Sequence, residues 1–145
     1  MQKTVLIVDD EQGMIEALED GLVSEGYRVL KAVTAEEALQ ILKAEHVHLA
    51  TVDIMLPQGA SLEPRIDSHK TGMLLCKTIR QNYPRVDVFC LSVISDYDTI
   101  SAVQGMGVRF FKKGETPLRT VLDIIRSRLT GIAYSEERDA KRWDR

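Results

Sequence analysis

Five short apolar runs, each followed by a segment whose apolar residues recur at helical spacing, divide this chain almost from end to end. Such alternation reads as (βα)5. A strand buried on both faces appears as an unbroken apolar run, and returning to a parallel neighbour requires a crossover long enough to be a helix. It therefore predicts an α/β fold, a parallel sheet covered by helices. The runs are Thr4 to Val8, Tyr27 to Ala32, His48 to Ile54, Val86 to Ser92 and Val108 to Lys112.

The helical segments between them carry their own signals. After the first run, Ile15, Leu18, Leu22 and Val23 form a stripe that Gly26 closes. Thr34-Ala35-Glu36-Glu37 is a capping-box pattern opening a helix with Ala35, Ala38, Leu39 and Leu42 on its apolar face. A third helix is predicted from about Gly72 to Tyr83, with Met73, Cys76 and Ile79 inward and Pro84 as its stop. A fourth is capped near Ser95 or Asp96 and carries Ile100, Val103 and Met106. The fifth starts around Thr116-Pro117, with Pro at the first helical position, and carries Leu118, Val121, Leu122 and Ile125.

With 145 residues, 44% of them hydrophobic, the chain suits one compact domain burying roughly 70% of its unfolded surface. Its net charge of -3 argues against a direct grip on nucleic acid, which needs clustered Lys and Arg. No apolar run approaches the ~20 residues of a membrane span. Met1-Gln2-Lys3 leads into only four apolar residues, unlike a signal peptide, so a cytoplasmic protein is expected. Cys76 and Cys90 lack a CxxC partner and read as reduced core residues, and His46, His48 and His69 lack zinc spacing. Two segments break the pattern: the polar connection Gln58 to Thr71, which starts beside the predicted strand edge, and the tail Ile132 to Arg145, with four charged residues of each sign. The tail reads as a linker stub or frayed extension.

In a parallel α/β sheet, functional groups collect where strands end. Here those ends carry Asp9 and Asp10, Asp53, Ser92, and the pair Lys112-Lys113. Adjacent carboxylates at the tip of a buried strand repel each other and are costly to desolvate unless something positive lies between them. Hard oxygen donors without nearby His or Cys suit Mg²⁺, so Asp9 and Asp10 are candidate metal ligands. With a cation neutralising the cluster, one carboxylate can act as the nucleophile of phosphoryl transfer, and a lysine and a hydroxyl are natural donors to the transferred oxygens.

The ordered set Val8-Asp9-Asp10, Asp53-Ile54-Met55-Leu56-Pro57, Leu91-Ser92 and Phe110-Phe111-Lys112-Lys113 resembles the receiver domain of two-component response regulators, over Lys3 to about Thr130. The resemblance implies a flavodoxin-like, doubly wound sheet of strand order 2-1-3-4-5, with a receiver domain over 1–131 and a tail over 132–145. It implies that Asp53 accepts phosphate from a histidine kinase or phosphotransfer protein. Asp10 would bind Mg²⁺ directly, Asp9 largely through water, and Met55 through its backbone carbonyl. Ser92 takes the place of the family's switch hydroxyl and Phe110 that of its switch aromatic. The spacing aromatic-x-x-Lys selects Lys113 as the phosphate-contacting lysine, and Lys112 is the alternative in a register slipped by one residue. Three features depart from the family: Gly114 stands where Pro is usual, Val93 where a small residue is usual, and the connection after Pro57 is roughly ten residues longer.

The leading function is thus a phosphorylation-controlled signalling switch that acts on an unspecified protein target and is not itself an enzyme. A degenerate receiver that binds partners without phosphate is a competing reading, suggested by Val93, Gly114 and the long connection. A haloacid-dehalogenase-like phosphatase is a third, but its motif needs an Asp two residues beyond the nucleophile, where this chain has Met55. No Gly-rich phosphate loop follows the first strand, which disfavours a dinucleotide enzyme.

Overall fold

The computed structural model describes residues 2–56 and 68–132. The tail beyond Ile132 and most of the long connection after Leu56 fall outside them. Among the described residues five strands, β1 (Thr4–Val8), β2 (Arg28–Ala32), β3 (Leu49–Val52), β4 (Asp87–Ser92) and β5 (Arg109–Lys112), alternate with five helices. The helices are α1 (Gln12–Ser24), α2 (Ala35–Ala44), α3 (Ser68–Asn82), α4 (Tyr97–Gly105) and α5 (Leu118–Thr130). The strands form one sheet in the order β2-β1-β3-β4-β5, and every pairing is parallel. This is the flavodoxin-like order that the resemblance implies.

Side-chain parity decides which layer each strand residue joins. In β1, Leu6 and Val8 enter one core with Ala50, Val52, Val88 and Cys90, while Val5 and Ile7 enter the other with Leu49, Phe89 and Leu91. The first core is closed by α2, α3 and α4 through Ala38, Leu42, Cys76, Ile79 and Val103. The second is closed by α1 and α5 through Ile15, Leu18, Leu22, Val121, Ile124 and Ile125. Both faces are covered, which is why the strands read as continuous apolar runs rather than alternating ones. Among the described residues no helix is long and apolar enough to cross a membrane.

Several boundaries and faces differ from the sequence reading. Val23 is 55% exposed, because it lies about 100° around α1 from Leu22 and leaves the stripe. In α3, Leu75 is buried beside Cys76 and Ile79, while Met73 is only partly buried. That helix also starts at Ser68, four residues before Gly72, in a polar stretch without apolar periodicity to reveal it. Buried Thr99 takes the inward place given to Ile100, and Met106 is the C-cap of α4 rather than part of its body. Asp96, not Ser95, is the N-cap, its carboxylate accepting the Thr99 N–H at 3.1 Å. Pro117 is likewise a cap, at φ -59 and ψ 140, so α5 begins one residue later than expected. Thr34 caps α2 as expected, its Oγ1 accepting the Glu37 N–H at 3.1 Å. Cys76 and Cys90 are free, buried thiols, and burial pushes that of Cys76 up to about 12.

Two local features set predictions. At the amino edge of the sheet, His48 Nδ1 accepts the Thr4 N–H at 3.0 Å, so the imidazole must be unprotonated there. Burial, reinforced by His46 and Lys3, holds His48 below the ordinary imidazole value. A depressed folded-state value means the stabilisation is present above the unfolded value of about 6.5 and is lost as pH falls through the folded one. The melting temperature should therefore fall between pH 7.5 and 5.5, by less in His48→Gln than in the unaltered protein; equal falls would exclude this role. The second feature is Gly72. A methyl group there would lie 2.2 Å from the Ile54 carbonyl oxygen and 2.4 Å from its Cα, so α3 rests directly on backbone. Gly72→Ala should cost about 1–3 kcal/mol in urea denaturation, the range for overpacking. Gly105→Ala, with nothing within 4 Å of the added methyl, should be neutral or stabilising in the same assay.

Candidate functional site

The parallel ladder runs one residue past the strands at the carboxyl edge. The Asp9 N–H donates to the Ala32 carbonyl at 3.0 Å, Asp53 to Val8 at 3.0 Å, and Lys113 to Ser92 at 2.9 Å. Each residue is thereby fixed by the last carbonyl of a neighbouring strand, and its side chain projects from a defined point.

At the ends of β1, β3 and β4 the chain turns in the same way. Asp9 Oδ1 accepts the Glu11 N–H at 2.9 Å, Asp53 Oδ1 accepts the Met55 N–H at 3.0 Å, and Ser92 Oγ accepts the Ile94 N–H at 3.4 Å. A short polar side chain bonding the backbone two residues on is how Asp and Ser start such turns. For each aspartate this uses one carboxylate oxygen and leaves the other facing the site.

Lys113 takes both of those remaining oxygens. Its Nζ lies 2.8 Å from Asp9 Oδ2 and 2.9 Å from Asp53 Oδ2, with Glu11 Oε2 at 3.4 Å. Lys112 turns away and pairs with Glu115 at 3.2 Å. The Lys113 side chain is only 6% exposed. Burial alone would lower the Lys113 pKa, but its hydrogen bonds to Asp9 and Asp53, together with their charges, hold it above the ordinary lysine range. Asp9 is nonetheless raised: burial outweighs the Lys113 hydrogen bond and the Glu11 N–H. The two directions are compatible because one ammonium is divided between two carboxylates, and the more buried Asp9 is left short of positive charge.

Asp10 completes the cluster from the solvent side. Carboxylate oxygens of Asp9, Asp10 and Asp53 all lie within 4.8 Å of one another. Three carboxylates against one ammonium also leave net negative charge, and the donors are all hard oxygens, so the residues present fit a divalent cation.

The remaining candidates lie around this centre. Ser92 is fully buried at the end of β4, and Phe110 is half-buried against the core beneath α2, α3 and α4. Phe111, on the opposite face, packs on Phe89 at 5.6 Å between ring centroids. Met55 and Val93 are exposed beside the site, Val93 at 61%. Gly114 adopts φ +86, a left-handed conformation that Pro cannot take. Sequence reasoning missed two residues. Glu11 reaches Lys113 from the position directly after the aspartate pair, and Gly72 supports the backbone next to Asp53. The adjacency of Glu11 to Asp10 was a visible signal, whereas the contact beneath Gly72 was not.

The chain matches the family model described as the response regulator receiver domain over residues 5–124. It is 35% identical over 126 residues to the response regulator GtcR of Aneurinibacillus migulanus, covering 86% of this chain and 47% of that protein. It is 30% identical over 121 residues to the regulatory protein VanR of Enterococcus faecium, covering 83% and 48%. The chain thus spans about half the length of these relatives. Among solved structures, a CheY-like receiver domain protein from Methanospirillum hungatei JF-1 superposes with a TM-score of 0.75 at 25% identity, covering 90% of this chain and 96% of that one. The extended ladder, the three turns and the shared lysine, together with a family match across most of its length, establish that this chain belongs to the receiver domains of two-component response regulators.

Proposed function

We propose that this chain is a phosphorylation-controlled switch in which Asp53 takes a phosphoryl group from a histidine kinase or phosphotransfer protein. The resulting change alters the surface offered to a protein target. The observation that carries the reading is Lys113 Nζ bridging Asp9 Oδ2 and Asp53 Oδ2 at 2.8 and 2.9 Å inside the acidic cluster. A buried lysine shared by two carboxylates at the carboxyl edge is more than packing requires.

Asp9, Asp10, Asp53 and the backbone carbonyl of Met55 would hold Mg²⁺. When bound, the ion supplies positive charge that admits an anionic donor and balances charge spreading over the transferring oxygens. Asp53 does the bond making. Its carboxylate oxygen forms the new P–O bond as the donor's P–N bond breaks, and the imidazole leaves as the neutral ring once protonated. The Met55 N–H fixes the carboxylate's orientation, so little reorganisation is needed at the moment of attack. After transfer, Lys113 and the Ser92 hydroxyl donate to the new phosphoryl oxygens. Turning the Ser92 hydroxyl toward the phosphoryl group draws on the turn at Ile94 that precedes α4, and Phe110 repacks with it. The protein receives phosphate rather than catalysing turnover, and the reading puts it in the cytoplasm.

Intact mass after treatment with a small acyl phosphate tests the acceptor. The unaltered protein is expected to gain one phosphoryl group with Mg²⁺ and none with a chelator, and Asp53→Asn to gain none in either. Labelling that persists in Asp53→Asn, or that ignores chelation, would overturn the assignment. For the lysine, Lys113→Ala should retain most phosphorylation but lose the accompanying change in backbone amide shifts, and Lys112→Ala should retain both. The opposite ranking would transfer the role to Lys112.

A further inference from the structure

We infer that Glu11 is the alternate partner of Lys113, the carboxylate to which the ammonium moves when a divalent cation enters the acidic pocket. The inference rests on the metal reading above and adds a positioning residue to it. Lys113 Nζ sits 2.8 Å from Asp9 Oδ2 and 2.9 Å from Asp53 Oδ2. Both residues belong to the cluster with Asp10 whose oxygens lie within 4.8 Å of one another. A divalent ion about 2.1 Å from those oxygens would meet the ammonium at close range, and two positive charges so near each other repel strongly. The lysine must loosen its hold on at least one aspartate.

Glu11 is built to receive it. Its Oε2 is already 3.4 Å from Lys113 Nζ, longer than either aspartate contact, so a small displacement exchanges a strong contact for a comparable one. The backbone of Glu11 is pinned by its N–H to Asp9 Oδ1 at 2.9 Å, which keeps the side chain's origin fixed as the pocket rearranges. The side chain itself is 60% exposed and makes no capping bond to α1, so it can follow the ammonium without giving up another partner. Glu11 lies outside the three-aspartate cluster and acts on the cation through Lys113.

A double-mutant cycle on Mg²⁺ affinity separates this role from a simple charge effect. Mg²⁺ binding is titrated by calorimetry in the unaltered chain, Glu11→Gln, Lys113→Met and the double variant, with melting curves to check folding. Glu11→Gln is expected to weaken Mg²⁺ binding about two- to fivefold when Lys113 is present, the range of a partly exposed ion pair, and by markedly less in the Lys113→Met background. Glu11→Asp keeps the charge but withdraws it, and should behave like Glu11→Gln. The Lys113 Cε signal, followed by NMR, should shift on Mg²⁺ addition in the unaltered chain and shift differently in Glu11→Gln. Equal losses in both lysine backgrounds, or full affinity in Glu11→Asp, would mean that Glu11 acts by its charge alone and would overturn the inference. Absence of Mg²⁺ binding to the unaltered chain would instead remove the metal reading, and this inference with it.

Discussion

A single buried ammonium holds the carboxyl edge of this sheet together. Without Lys113, Asp9 and Asp53 would face each other as nearly buried like charges, and their repulsion and desolvation would favour opening the edge or protonating one of them. With it, both carboxylates have an opposite charge within hydrogen-bond reach at the end of the sheet. The arrangement is incomplete in a useful sense: one positive charge among Asp9, Asp10 and Asp53 leaves the pocket electronegative. The same lysine thus stabilises the resting site and limits what can enter it, because any incoming cation competes with it for the same oxygens.

Placing that ammonium is the work of the sheet. Lys113 is held through its N–H by the last residue of β4, Asp53 by the last residue of β1, and Asp9 by the last residue of β2. Asp9 and Asp53 follow the fully buried strands β1 and β3, and Lys113 follows the partly exposed edge strand β5, yet each lies just beyond its strand, where the backbone can turn. Core packing and site geometry therefore have a common origin. The apolar residues that make β1, β3 and β4 bury themselves on both faces also determine where their terminal polar residues project.

Much of this was legible in the sequence because it depends on alternation and order. The strand-helix repeat, the capping Thr34, and the aspartates and lysine at strand ends are periodic or punctuating features that a linear reading can detect. The differences lie where tertiary contacts decide. Val23 belongs to an apolar segment but faces solvent, because helix rotation and not composition sets burial. The first turn of α3 has no apolar stripe, and the Gly72 contact with Ile54 joins segments whose approach no local pattern announces. Whether Lys112 or Lys113 enters the pocket turned on a register of one residue, and it was fixed by the Lys113 N–H bond to Ser92. Glu11 was visible as a residue but not as a contact, because its link to Lys113 spans 102 positions.

The assignment of alternate residues of β1 to two separate cores has a consequence for how such a chain can diverge. Removing or inserting one residue within Thr4–Val8 would exchange the layer to which each side chain belongs and would bring Asp10 or Val8 to the position of Asp9. No intermediate length satisfies both layers and the pocket. Length changes are then tolerated in the connections, while the strand accepts only substitutions that preserve its count. The position of Asp9 is thereby tied to the packing of β1, so a sequence that kept the two layers would keep it whether or not the carboxylate was used.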